Sequence, residues 1–166
     1  MAATHEESVQ YENVFTDAPV NLNPVSTWGS KLQVMFFNHV QSEAGDATST
    51  VNLVKLPAGR VRLITGLSRA YVNWTTASAT LDLGWRAYTG LDGVAVAESL
   101  AGIISALDVD TVGYQSLESD VTALLASLGG TKEFTSTSGV IICAHTPTAA
   151  IGSGDTIAGY LVYACD

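Results

Sequence analysis

The chain has 166 residues, enough for one domain that buries a core without metal or disulfide staples. Sixteen Asp and Glu against seven Lys and Arg leave a formal charge of −9, a field that repels nucleic acid and anionic membrane and so excludes the usual electrostatic routes to both. Charged residues are only 14% of the chain, so hydroxyls, small side chains or a partner must cover the exterior; the last points to an assembly, while a thin β-sandwich with neutral loops has the same signature.

Residues 1–30 hold Glu6, Glu7, Glu12 and Asp17, no Lys or Arg, and Pro19 and Pro24, with no sustained periodicity. They read as an extended arm. The spaced Tyr11, Val14, Phe15, Leu22 and Trp28 favour an arm that docks at intervals over a merely solvated tail. The segment lacks the cationic and apolar regions of a signal peptide, and no apolar run reaches the ~18 residues of a membrane span, so synthesis in a cell's cytoplasm is the expectation.

The domain proper is expected over 31–166. Residues 32–40, LQVMFFNHV, are apolar on both sides and predict an interior strand closed by His39, a hydrogen-bonded or exposed histidine rather than a ligand. A polar loop follows, QSEAGDATST. Within 51–88, Pro57-Ala58-Gly59 predicts a turn joining VNLVKL and VRLIT as a hairpin. Leu81, Leu83, Trp85 and Ala87 then alternate with Asp82, Gly84, Arg86 and Tyr88, the mark of a half-buried antiparallel strand. Four of the seven cations, Lys55, Arg60, Arg62 and Arg69, surround the predicted hairpin. They are either solvated strand-face charges or a patch facing an acidic partner.

Thr89-Gly90-Leu91-Asp92-Gly93 predicts a turn with Asp-Gly at its tip. Leu100, Ile103, Ile104 and Leu107 have helical spacing and predict a short helical turn, followed by the acidic connection ALDVDTVG. Residues 116–128 predict the best helix: Leu117, Val121, Leu124, Leu125 and Leu128 share a face, Glu118 and Asp120 lie near its start, and Gly129-Gly130 stops it. The last third returns to strands at 132–135, 140–145 and 156–165, the last apolar on both faces, so that the terminus is expected inside a sheet. About eight strands separated by turn signals define a mainly β protein: an antiparallel β-sandwich of jelly-roll type with one inserted helix and an extended N-terminal arm.

No reactive signature emerges. His5, His39 and His145 lack any metal-ligand spacing, so no metal or other cofactor is expected. Cys143 and Cys165 are expected on hairpin-connected strands about five positions out of register, roughly 16 Å apart at ~3.3 Å per residue, which excludes a disulfide and leaves both thiols reduced. Cys143 and His145 share a strand face; core packing outweighs a thiolate pair, because nothing marks a third orienting group. The aspartates 82, 92, 108, 110 and 155 mostly read as turn residues bonded to local backbone, and Gly152-Ser153-Gly154-Asp155 is a loop without the lysine of a phosphate cradle. No catalytic residue is nominated. Trp85 belongs to the inward face, whereas Trp74, at a strand end, is the candidate for stacking on a sugar.

LPAGRVRLITGLSRAYVNW, TLDLGWRAYTGLDG, ALDVDTVG and the terminal GDTIAGYLVYACD, within residues 51–166, resemble small virion structural proteins of tailed bacteriophages, the head decoration or cement proteins. The resemblance implies a non-enzymatic protein on the outer capsid surface of the virion. It would bind the major capsid protein and itself, as a homotrimer, and bridge neighbouring capsid subunits. On that reading Tyr11, Phe15 and Trp28 of the arm and Lys55, Arg60 and Arg62 contact the capsid or a sister subunit. The alternative is a carbohydrate-binding β-sandwich module of a virion appendage, stacking sugars on Trp74.

Overall fold

The computed structural model describes residues 31–74, 78–109, 112–117 and 131–165. The residues of the arm, and with them Tyr11, Phe15 and Trp28, lie outside these. Eleven strands are present among the described residues: β1 (Leu32–Val40), β2 (Thr50–Leu56), β3 (Gly59–Asn73), β4 (Thr80–Trp85), β5 (Tyr88–Thr89), β6 (Ala95–Val96), β7 (Ser99–Asp108), β8 (Gly113–Ser116), β9 (Thr131–Ser136), β10 (Val140–His145) and β11 (Thr156–Cys165). They form a five-stranded sheet, ordered β1-β11-β3 with β8 and β9 both on the far side of β3, and a four-stranded sheet, ordered β2-β10-β4-β7. A separate hairpin pairs β5 with β6.

The inner faces of the two sheets enclose the core, an antiparallel sandwich. The fifteen residues of β3 show why the chain folds this way. Val61, Leu63, Thr65, Ser68, Ala70 and Val72 are buried, while Arg60, Arg62, Ile64, Leu67, Arg69 and Tyr71 take the outward positions. The alternation skips at Gly66 and Leu67, where Tyr160 and Val162 of β11 pair with Arg69 and Ile64. The extra residues bulge out, and the Ser68 hydroxyl closes the gap by donating to Ile64 O (2.8 Å) and accepting from Val162 N (3.0 Å). At this bulge β3 changes partner, from β9 along Gly59–Ile64 to β8 along Arg69–Val72. Each large side chain buried in the core, such as Leu63, Leu83, Ile142 or Leu161, contributes about 1.5–3 kcal/mol.

Several expectations change in the folded chain. Pro57-Ala58-Gly59 is a turn, with Gly59 at φ 104°, but it makes no hairpin. It is a corner: β2 pairs with β10 in one sheet and β3 joins the other. A strand that leaves its sheet needs the same turn chemistry as one that folds back, and local sequence does not separate the two. β1 is an edge strand with one open face, not an interior strand; Leu32, Val34, Phe36 and Val40 are exposed, whereas Phe37 faces the core. The strand at Leu81 is buried on both faces, because β10 and β7 flank β4 and the β7 backbone closes over Gly84.

The helical spacing in 100–107 belongs to a strand. β7 shifts register twice against β4 and bends at Ala106 (φ 53°), so the neighbours Ile103 and Ile104 are both buried and the pattern imitates a helix. Of the helix expected over 116–128, Ser116 closes β8 and Leu117 packs into the core; the remainder lies outside the described residues. Cys143 and Cys165 are free, as expected, but for another reason: β10 and β11 belong to different sheets and form no hairpin.

Two substitutions test this framework. A Cβ on Gly84 would sit 1.9 Å from Ser99 O and 2.4 Å from Leu100 C, both backbone atoms. Gly84→Ala is therefore expected to lower unfolding free energy by about 1–3 kcal/mol in urea titrations. Ser68→Ala leaves Val162 N buried without its acceptor, an expected loss of about 1–3 kcal/mol by the same measurement.

Candidate functional site

At the end of the sandwich where β2 turns into β3, three connections meet. Thr137 N, in the turn after β9, donates to Thr89 O of the β5–β6 hairpin (3.0 Å), and Gly139 lies against the backbone of Leu56 and the side chain of Lys55. The hairpin stands on an aromatic base. Phe134, buried, meets Trp85 edge-on at 5.5 Å and Tyr88 at 6.2 Å, and Lys132 Nζ sits 4.5 Å over the Trp85 ring.

Arg86 then ties the base to the four-stranded sheet. Its guanidinium donates to Glu98 Oε2 (2.7 Å), Asn52 Oδ1 (3.1 Å) and Thr50 Oγ1 (2.5 Å). The Glu98 hydrogen bond raises the Arg86 pKa, and burial opposes it. Held in this way, the hairpin loop projects Leu91 and Val94 into solvent, 54% and 61% exposed. Asp92 accepts from Val94 N (3.0 Å) and Gly93 takes φ 80°, so the tip is shaped by its own turn chemistry.

Of the residues nominated from sequence, Arg60 and Arg62 come together on Glu133 of β9, at 3.5 and 2.9 Å. Arg60 is the more exposed of the pair, and Lys55 lies exposed at the other arm of the corner. Trp74 does not serve the sugar reading. It is 4% exposed, because it continues the inward series Ser68, Ala70, Val72 beyond the end of β3. Trp85 is partly buried against the core, as its alternation predicts. His39 hydrogen-bonds the Gln41 side chain at 3.0 Å.

The sequence reading missed Leu91 and Val94, whose signal was an apolar residue on each side of a hydrophilic Asp-Gly tip. It also missed the outer face of the five-stranded sheet. There Phe36 (76% exposed) meets Tyr160 edge-on at 6.0 Å, and Tyr114 (82% exposed) meets Tyr71 at 5.3 Å. Interplanar angles of 60° and 63° make both pairs edge-to-face.

The remaining titratable side chains bond within the sheets. His145 Nδ1 lies 3.2 Å from Asp82 Oδ2, and Asp82 Oδ1 accepts from Ala106 N at 2.7 Å, which pins the bend of β7. Asp82 thus sits mid-strand rather than in a turn, whereas Asp92 and Asp155 bond local backbone as expected. Cys143, beside His145 on the strand, is fully buried. Burial pushes its thiol pKa up, with Arg86 pulling it down and Glu98 pushing it further up. That favours the neutral thiol, the opposite of what an attacking thiolate requires. Among the described residues no group of three or more His, Cys, Asp or Glu is placed to hold a metal ion.

No family model matches the chain, and no curated protein matches it. Among solved structures it is similar to a chain of the cyanophage Pam1 capsid asymmetric unit, at 14% identity and a TM-score of 0.46, covering 91% of this chain and 97% of that one. A chain of the acidic stable capsid of Helicobacter pylori bacteriophage KHP30 is similar at 16% identity and a TM-score of 0.38, over 81% and 93% of the two chains. A chain of the infectious bursal disease virus Gx strain structure is similar at 14% identity and a TM-score of 0.38, over 82% of this chain and 33% of that one.

The buried thiol yields a direct expectation. In the folded protein at pH 8, Cys143 is expected to resist iodoacetamide and to be alkylated once denaturant is added, as read by peptide mass spectrometry.

Proposed function

We propose that this protein is a non-enzymatic head decoration protein of a tailed bacteriophage, one that binds the outer surface of an assembled capsid and bridges neighbouring subunits. The observation that carries this reading is the corner end of the sandwich, where exposed Leu91 and Val94 project from a braced hairpin and where the connections carrying Lys55 and Arg60 also meet. Large apolar side chains presented to solvent at an end that also carries cations suit a protein contact rather than a substrate cleft.

Two further features support it. The residues of 51–166 resemble decoration proteins. Strands β1 to β4 also alternate between the two sheets, as do β9 to β11, and the order β1-β11-β3 with β8 and β9 over β2-β10-β4-β7 supports a jelly roll, the architecture of many viral shell proteins.

The mechanism is mass action. A protein that binds the assembled lattice but not its separated subunits stabilises the lattice by its binding free energy. A domain seated across two subunits adds its own contacts to those that must break when the shell opens under the pressure of packaged genome. A low-charge exterior suits close lateral packing, and a homotrimer at a junction of capsomers would multiply the effect through linked contacts. The capsid surface that fits the tip is apolar with acidic residues at its margin. The carbohydrate alternative loses its stacking residue to the core at Trp74.

Co-sedimentation with purified heads that lack this protein tests the reading. Full-length protein is expected to pellet with the heads, and Leu91→Asp with Val94→Asp, or Arg60→Glu, to weaken binding by roughly tenfold to a hundredfold, the range for residues central to an interface. Unchanged binding by both variants, or glycan binding without head binding, overturns it.

A further inference from the structure

We propose that the free edge of β1 is a pairing site for a second copy of this chain, whose own β1 joins it antiparallel about a two-fold axis at Phe36 and merges the two five-stranded sheets into one. β1 ends the order β1-β11-β3, and among the described residues β11 is its one strand partner. A strand in that position presents a row of backbone N–H and C=O groups with no ladder to enter. Domains that stay apart guard such rows with charges, bulges or brevity.

The other edges of this sandwich are guarded in those ways. β2 carries exposed Lys55 and bulges at Leu53 against β10. β7 shifts register twice against β4, turns left-handed at Ala106 and ends in Asp108. β8 has four residues, and β9 carries Lys132 and Glu133. β1 has none of these devices. It pairs with β11 residue for residue from Leu32 to Val40 without a shift, and its nine residues, LQVMFFNHV, hold no proline and no Asp, Glu, Lys or Arg. Its outward row is apolar, with Leu32 57% exposed, Val34 50%, Phe36 76% and Val40 55%.

The strand's own sequence selects the partner. Antiparallel pairing of two copies about Phe36 sets Leu32 opposite Val40 and Phe36 opposite its counterpart on the outward face, with Met35 opposite Phe37 and Gln33 opposite His39 on the inward one. Only Val34 and Asn38 mix an apolar with a polar side chain. An axis at Met35 would instead oppose Gln33 to Phe37 and Leu32 to Asn38, and one at Phe37 would oppose Met35 to His39 and Phe36 to Asn38. The Phe36 register therefore overlaps the whole strand and matches best, and it opposes no two charges. A strand from another protein would need this pattern by coincidence, whereas a second β1 has it by symmetry. Phe36 already meets Tyr160 edge-on at 6.0 Å, so the axis would join two such pairs into one aromatic row. The contact uses other residues than the corner end of the preceding section and is read without heads, so the two readings fail separately.

Sedimentation velocity of the free, full-length protein at about 500 µM tests the pairing. One strand pair lies at the small end of interfaces, for which a Kd of about 1–100 µM is expected. Val34→Lys with Phe36→Lys, both at exposed positions, is expected to weaken association at least about tenfold and to halve the sedimenting mass. Disulfide trapping fixes the register, because directly opposed Cα atoms lie about 4.5–5.5 Å apart, within reach of a bridge. Under mild oxidation Phe36→Cys is expected to link to itself. Val34→Cys is expected to link to Asn38→Cys in an equal mixture, and each alone about tenfold less. Rates are taken above that of the unsubstituted protein, whose Cys143 is buried and whose Cys165 is partly so. Should the double variant fail to fold, the trapped pairs decide. A monomer at that concentration overturns the proposal, as does an oligomer that the double variant leaves intact or that links at none of these positions.

Discussion

The structure depends on the strict side-to-side alternation of β3 and on the device that preserves it across an interruption. A strand long enough to serve two partners must bulge where they change, and every extra residue threatens to turn the following side chains to the wrong face. Here Ser68, fully buried, replaces the missing ladder bonds with its hydroxyl, and Arg69 Nη1 donates to Gly66 O and Ser68 O at 3.0 and 2.9 Å. Ala70 and Val72 therefore still point inward beyond the bulge, and Trp74 after them.

Everything outward of that strand follows as a consequence. The residues that alternate with its core positions are Arg60, Arg62, Ile64, Arg69 and Tyr71, so the same periodicity that fills the interior builds a mixed cationic and aromatic outer sheet face. The opposite sheet uses its polar residues differently. Asp82, His145, Arg86 and Glu98 bond across strands and hold the bend of β7 and the base of the hairpin, which leaves them structural rather than available to a ligand. In the described residues these polar groups brace strands and turns, while exposed positions include both apolar residues such as Leu91 and Val94 and charged ones such as Lys55 and Arg60.

Strand positions were legible wherever hydrophobic period and turn residues agreed. LQVMFFNHV and IAGYLVYAC, and the turns at Gly59 and Gly93, appear where their residues place them. Legibility failed where a bulge breaks the period. Ile103 and Ile104 are buried side by side in β7, so a strand took on the spacing of a helix. It also failed at the corner after β2, because proline and glycine state that the chain turns and not which sheet it turns into. The candidate site was half visible: Lys55, Arg60 and Arg62 stood out by charge, while Leu91 and Val94 looked like ordinary residues of a turn.

Local sequence specifies a β domain of low charge and a set of strands with inward and outward positions. These are properties of neighbouring residues, set by a two-residue repeat and by backbone preferences at turns. Which apolar faces meet, and how far apart the two thiols lie, follows from long-range packing. β1 and β11 are both apolar on two sides, yet β11 lies between two strands and β1 lies at the edge with Phe36 in solvent. Whether an apolar face is buried depends on what packs against it, and that is a property of contacts between residues far apart in the chain.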